Sequence, residues 1–387
     1  MATVNGNNAD NFLVGSENDD VIFANGGNDF VIGASGNDAI FGGLGADKLF
    51  GGNGNDLLSG SDALPADSDS AVDSLVGGNG ADRYFIFDGQ DVVIEEVDGG
   101  IDTVQFESFS YKAENNVENL QFERDAVQGI GNELNNRMTV TKADDDTDKL
   151  MDGRGGNDIL VAARGDDRLF GGEGRDNLNG NDGNDSLDGG NGNDILTGGN
   201  GVDALIGGNG LDSLRGGNQG DRLFGGADND FLRGDDGDDR LDGGDANDRL
   251  FGGNGIDTLS GGAGEDSLIG SVGGDVLSGG AGNDVFIYQN NADESRGSIA
   301  ETRDTITDFV HGQDKVSLAG VDANAGLSGT QDFVFIGSAG FTAPGQVRAF
   351  QVADGTLILA SNDFDSTAEI AIRLDDKINL SAGDFIF

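Results

Sequence analysis

Aspartate recurs at every ninth position from Asp158 to Asp284, fifteen times without a slip, and each copy follows a glycine-rich turn. One copy reads Gly189-Gly190-Asn191-Gly192-Asn193-Asp194-Ile195-Leu196-Thr197, so the unit is close to G-G-x-G-x-D-x-L-x. The aspartate brings a hard anionic oxygen. The glycines admit positive φ, so the chain can turn sharply and aim successive carbonyl oxygens at one point. Carboxylate and carbonyl oxygens, with no His or Cys in the unit, make a calcium site rather than a zinc or copper site. The predicted ligands of this block are Asp158, Asp167, Asp176, Asp185, Asp194, Asp203, Asp212, Asp221, Asp230, Asp239, Asp248, Asp257, Asp266, Asp275 and Asp284.

Those ligands need a scaffold that repeats with them. A strict period below twenty residues predicts a solenoid. The seventh to ninth residues of each copy read as a short strand, with the eighth side chain facing one way and its neighbours the other. The eighth position is Leu in fourteen copies and Phe286 in the last, so it is the inward one. With two nonapeptides per coil, copies eighteen residues apart stack, and Leu196 lies beside Leu178 and Leu214. Calcium between successive loops would neutralise columns of carboxylates that otherwise repel. The expected fold is all-β, a parallel β-roll.

Repeats also open the chain, with key aspartates at Asp10, Asp19, Asp29, Asp38, Asp47 and Asp56. The step from Asp19 to Asp29 is ten, which implies a local bulge and weakens the site at Asp29. Ser61 to Ser70 reads as a surface loop from its Pro, Ser and Asp content. The register then resumes with Asp73, whose turn has lost its glycines, and with the complete copy Gly77 to Phe85, so calcium is expected at Asp82 more than at Asp73.

Residues 86–152 break the nonapeptide. Asp91 to Glu96, Asp102 to Phe106, Asn116 to Phe122 and Gly131 to Asn136 alternate apolar and polar side chains, as half-buried strands do, and predict a wider continuation of the solenoid. The acidic run Ala143 to Asp148 reads as a surface loop or a weak cation site. The expected organisation is an N-terminal roll over 1–85, a β spacer over 86–152, the main roll over 153–287 and a β-rich cap over 288–387.

In its nonapeptides the chain resembles the RTX (repeats-in-toxin) family, in which G-G-x-G-x-D-x-U-x builds a calcium-loaded parallel β-roll. Spacers such as 86–152 often separate RTX blocks. Asp304 to Phe309, Gly312 to Leu318, Phe335 to Ser338 and Ile378 to Phe387 resemble the C-terminal module of serralysin-type proteins. That resemblance implies a cap carrying an uncleaved type I secretion signal, with Asp384-Phe385-Ile386-Phe387 matching its acidic-then-apolar ending. The type I secretion apparatus is then an expected partner. The alternative is a plain final strand.

Composition narrows the function. The chain has 387 residues, 70 Gly, 2 Pro, no Cys, no Trp, 71 acidic against 22 basic side chains and a net charge of −49. Nucleic acid is excluded as a partner, because phosphate binding needs a basic surface. Without calcium such a chain lies near the disordered regime, so metal binding would be coupled to folding. The N-terminus lacks the basic and apolar regions of a cleaved secretory signal, and no apolar run approaches a membrane span. Export by another route, to a compartment rich in calcium, is expected, and an absence of cysteine fits it.

Serralysins are zinc proteases, but this chain has only His311 and cannot supply the two histidines of His-Glu-x-x-His. No thiol nucleophile exists, and no unassigned stretch is large enough for a catalytic domain, so no enzyme is expected. Arg168, Arg222, Arg240 and Arg249 after the aspartate, with Arg215 and Arg233 at the ninth position, read as local charge compensation or as a stripe gripping an acidic polysaccharide. Phe170, Phe224, Phe231 and Phe251 are expected to face outward. The favoured reading is a secreted, calcium-folded structural, adhesive or matrix protein that meets itself or a polysaccharide. The alternatives are a polysaccharide-binding accessory module and a host-interacting, membrane-perturbing protein.

Overall fold

The structure is a computed structural model. It describes residues 1–61, 71–87, 90–97, 99–107, 110–124, 126–289, 303–321, 332–361 and 370–387, and the loop expected over 61–70 lies, from residue 62 on, outside them. The chain forms two compact units, Met1–Asp182 and Gly183–Phe387, and the division falls inside the long run of repeats. Among the described residues there is no α-helix, and none is long and apolar enough to cross a membrane.

The second unit is built from the nonapeptides. Each supplies a strand such as Ser213–Asn218, paired in parallel with Ile195–Asn200 before it and Phe231–Asp236 after it. The register is eighteen residues, so Leu196 faces Leu214 and Leu214 faces Leu232. Alternate copies form one sheet and the intervening copies another, as in the run Ala204–Asn209, Arg222–Ala227 and Arg240–Asp245. Eighth-position side chains from Leu187 to Phe286 are at most 2% exposed. Each such burial contributes about 1.5–3 kcal/mol, so the leucine ladders are the apolar core. Phe170, Phe224 and Phe231 face outward as expected.

The roll runs on into the C-terminal region. Asp304–Ile306 pairs in parallel with Val276–Ala281, and Lys315–Gly320 pairs with Val285–Gln289. An antiparallel meander of Gln346–Val352, Gly355–Ser361 and Ile370–Leu374 continues one sheet to its edge strand Val334–Phe335, and Phe385–Ile386 adds to Lys315–Gly320 in the other.

In the first unit the N-terminal coils, the spacer and the first copies of the main block form one ladder. Arg83–Ile86, Thr103–Phe106, Asn119–Phe122, Arg137–Val140 and Ile159–Val161 pair in parallel, so the spacer continues the solenoid as its alternating pattern predicts. Its coils are irregular in length, with partners at Thr103 and Asn119 but at Arg137 and Ile159. Larger side chains fill them: Phe106, Tyr111, Phe122, Met138 and Met151 are buried.

One expectation is corrected. No bulge separates the second and third copies, because the inward register runs Asn11, Asp20, Asp29 and Asp38 in steps of nine. The pairing Thr3↔Val21 and Val21↔Ala39 keeps the eighteen-residue coil throughout. The adjacent acids Asp19 and Asp20 made the step look like ten when the outer one was counted.

Candidate metal columns

Every regular turn handles its aspartate in one way. Oδ1 accepts the backbone N–H of the aspartate one coil earlier, as Asp230 does from Asp212 at 2.8 Å and Asp248 does from Asp230 at 2.7 Å. In the second unit this makes two columns. One steps from Asp185 through Asp203, Asp221, Asp239 and Asp257 to Asp275 and on to Asp304. The other steps from Asp194 through Asp212, Asp230, Asp248 and Asp266 to Asp284 and on to Asp314.

The second carboxylate oxygen is the chemically open one. Oδ2 is buried with no hydrogen-bond partner at Asp203, Asp212, Asp221, Asp230, Asp239, Asp248, Asp257, Asp266, Asp275 and Asp284. Leaving a carboxylate oxygen so is costly unless a cation meets it. The first glycine of the turn makes the space: a Cβ on Gly225 would lie 2.5 Å from Asp230 Oδ2 and 2.6 Å from the carbonyl oxygen of Gly243, one coil on. Carboxylate and carbonyl oxygens therefore converge on a cradle that only glycine leaves open. Such an all-oxygen donor set fits calcium.

Burial pushes these carboxyls up from 3.8, to about 8 at Asp257, about 7 at Asp221, Asp230 and Asp248, and about 6 at Asp203, Asp239 and Asp266. The N–H donated to Oδ1 acts the other way but does not prevail. Groups so placed take up either a proton or a metal cation.

In the first unit Asp29, Asp38, Asp56, Asp82 and Asp158 show the same open Oδ2, and Asp47, Asp167 and Asp176 are buried at the equivalent positions. Asp29 is thus a regular member. Asp10 and Asp19 are not: both are exposed one position before the column, and their Oδ1 atoms accept the N–H groups of Asn28 and Asn37. Asn11 and Asp20 take the inward places. Asp20 Oδ2 is satisfied by the N–H and hydroxyl of Ser16, both at 2.7 Å, and these bonds lower its pKa.

Asp73 joins the column, with Oδ1 bonded to Asp47 N–H at 2.7 Å, and its first glycine is not lost: Gly60, before the loop, takes that place, where a Cβ would collide with Asp73 Oδ2. Asp91 extends this column into the spacer, and Asp102 and Glu118 extend the other one past Asp82, where the nonapeptide count does not reach. The motif D-x-apolar marks Asp102-Thr103-Val104, Asp304-Thr305-Ile306 and Asp314-Lys315-Val316 without the glycines, and that signal would have found them.

At some column places protein donors fill the gap instead. Asn136 keeps an oxygen for the N–H of Asn132 and turns its amide nitrogen to Val117 O at 3.0 Å. Lys149 occupies an aspartate place, fully buried, with its ammonium 3.0 Å from Asp145 in the acidic loop. Val310 N–H satisfies Asp314 Oδ2.

Outside the columns, Arg215 and Arg233 both pair with Asp235, and Arg249 lies over the Phe251 ring at 4.8 Å. At the C-terminus, His311 Nδ1 is 2.9 Å from Asp384 Oδ1, and Ser381 Oγ donates to Asp384 Oδ2. The serine bonds the aspartate and not the imidazole, so the trio holds the final strand and lacks the order of a nucleophilic triad.

The family described as RTX calcium-binding nonapeptide repeat (four copies) matches residues 5–40, 32–62, 152–187, 179–214, 215–250 and 251–286. No curated protein matches the chain. Among solved structures, the solution structure of the AlgE6R3 subunit from the Azotobacter vinelandii mannuronan C5-epimerase is similar, at 26% identity and a TM-score of 0.30, over 39% of this chain and 78% of that one. With both blocks matched and the β-roll in place, the chain belongs to the RTX calcium-binding nonapeptide-repeat family.

Proposed function

We propose that this chain is a secreted protein that folds when it meets calcium outside the cell and serves there as a structural, adhesive or matrix component. One observation carries the reading. A buried carboxylate oxygen without a partner recurs in turn after turn, so the fold is incomplete until cations arrive. The ligands in this reading are the aspartates with that open oxygen, from Asp29 to Asp284, together with the glycine carbonyls beside them. Asp10 and Asp19 leave the set.

The charge of −49 supports a chain held unfolded at low calcium and neutralised at high calcium. Extracellular calcium modules work at about 10⁻⁴–10⁻³ M, which suits sites of one or two carboxylates. Export through a type I apparatus is the route that the resemblance of the C-terminal region to serralysin-type modules supports. The roll and the cap act together in this reading without catalysis.

Light scattering on the full chain, in calcium and then in chelator, tests the structural role. Reversible assembly that tracks calcium supports it; a monomer at all calcium levels contradicts it. A second reading rests on Arg222 and Arg240, adjacent across the register and exposed on one sheet face. Salt-sensitive retention on alginate, lost in the Arg222→Ser, Arg240→Ser double variant, would favour an acidic polysaccharide partner instead.

A further inference from the structure

The turn at Gly77 departs from the repeats. In a regular turn the first glycine faces the carbonyl oxygen of the first glycine one coil on, as Gly225 faces Gly243. Val92, Val93 and Ile94 pair with Ser74, Leu75 and Val76, so the residue opposite Gly77 is Glu95. A carboxylate thus stands where the repeats put a carbonyl. A Cβ on Gly77 would collide with Asp82 Oδ2, the Tyr84 hydroxyl and Glu95 Oε1 together.

Asp82, Glu95 and Asp102 are all buried, and each brings one oxygen to within 4.8 Å of the others'. Oxygens around one calcium ion, each about 2.3–2.6 Å from it, are separated by distances of this order. Asp82 Oδ1 is taken by Asp56 N–H and Asp102 Oδ1 by Asp82 N–H. Tyr84, fully buried at the place of the inward leucine, donates its hydroxyl to Glu95 Oε1. Asp82 Oδ2 and Glu95 Oε2 remain buried with no partner. The charged groups acting on the three are acidic as well, Asp56 and Glu118 among them.

We propose that Asp82, Glu95 and Asp102 form a calcium site of a second kind, with three carboxylates for one ion, which fills before the repeat turns and pins the N-terminal coils to the spacer. The extra anion raises affinity for a calcium-sized cation, and the rigid buried cradle disfavours magnesium, which gives up its water reluctantly. The site shares Asp82 with the repeat turns and adds Glu95 and Asp102 from outside the nonapeptides, so it does not need the other repeat turns to load.

Tyr84 makes the site readable. The chain has three tyrosines and no tryptophan, and Tyr84 alone of these touches the cluster through Glu95. Terbium, a calcium-sized ion, bound there should glow when tyrosine is excited. On the full chain, sensitised emission should rise at terbium levels below those that bring the β signal in circular dichroism. Tyr84→Phe should lose most of the emission while its terbium-induced folding persists, and Tyr111→Phe and Tyr288→Phe should keep it. Glu95→Gln should raise the terbium midpoint at least tenfold with the later β transition unchanged. Emission that survives Tyr84→Phe, or a midpoint unmoved in Glu95→Gln, overturns the proposal. A β signal already complete in chelator would count against the repeat reading and leave the terbium result to judge this one.

Discussion

The coils of residues 183–287 and those of residues 103–152 use the same backbone ladder for opposite ends. In the first, every coil is eighteen residues long, the core is leucine, and each turn keeps an open carboxylate oxygen at residues such as Asp230 and Asp257. In the second, coil length varies, the core is Phe106, Phe122, Tyr111 and Met138, and Asn136 and Lys149 fill column places with their own N–H donors. The backbone ladder therefore does not depend on an open carboxylate oxygen at every column place. A coil can be built around an open carboxylate oxygen or around larger side chains, and this chain contains both.

The difference should be largest in chelator. Amides of residues 185–284 should exchange with solvent at near-unfolded rates once calcium is removed, while those of residues 119–140 retain protection; equal loss in both would erase the distinction. Hydrogen exchange read by mass spectrometry decides this.

Acid should partly replace the metal. The carboxyls of Asp230 and Asp257 rise from 3.8 in the unfolded chain to about 7 and 8 when buried in the fold. Folding therefore takes up protons between those values, so the metal-free roll is favoured below 3.8 and loses that support as pH rises through 6 to 8. Circular dichroism in chelator should show β signal gained on acidification; loss of signal on acidification would reverse the sign.

Phe122→Ala should cost about 3–5 kcal/mol at saturating calcium, because the coils around Phe122 rest on large apolar side chains and not on open carboxylate oxygens. Chemical denaturation monitored by tyrosine fluorescence measures it, and a calcium-dependent cost would blur the contrast between the regions.

Swapping the two kinds of turn gives a smaller effect. Asp230→Asn should keep the stack and bind one ion fewer, since an amide nitrogen there can reach a carbonyl as Asn136 does. Asn136→Asp should lose that bond and gain a calcium requirement. Native mass spectrometry counts the ions. Smallest of all is Ala246→Gly. Gln219, Asp228 and Ala246 hold φ of 74°, 72° and 74° where the glycines of other turns spread to values such as 140°. Relieving that left-handed backbone should contribute about 1 kcal/mol and lower the calcium midpoint slightly.

Much of this was legible in residue spacing. The nine-residue period located the turns, the inward leucines and the open oxygens of the main block, because one backbone geometry serves every copy. It misplaced Asp10 and Asp19, since two acids in a row give spacing no means to choose the inward one; burial chose Asn11 and Asp20. It also missed Asp102, Asp304 and Asp314, which keep the ladder bond without the glycine turn. Glu95 was out of reach altogether, because its role depends on which residue the irregular coil sets opposite Gly77.

The central claim is that the open Oδ2 columns are calcium columns. A calcium titration of the full chain at neutral pH, followed by circular dichroism and reversed with chelator, tests it most directly. A cooperative gain of β signal that chelator abolishes and magnesium does not reproduce is the expected result. The same β signal in chelator and in calcium would contradict it, and the buried carboxylates would then have to be held by protons alone.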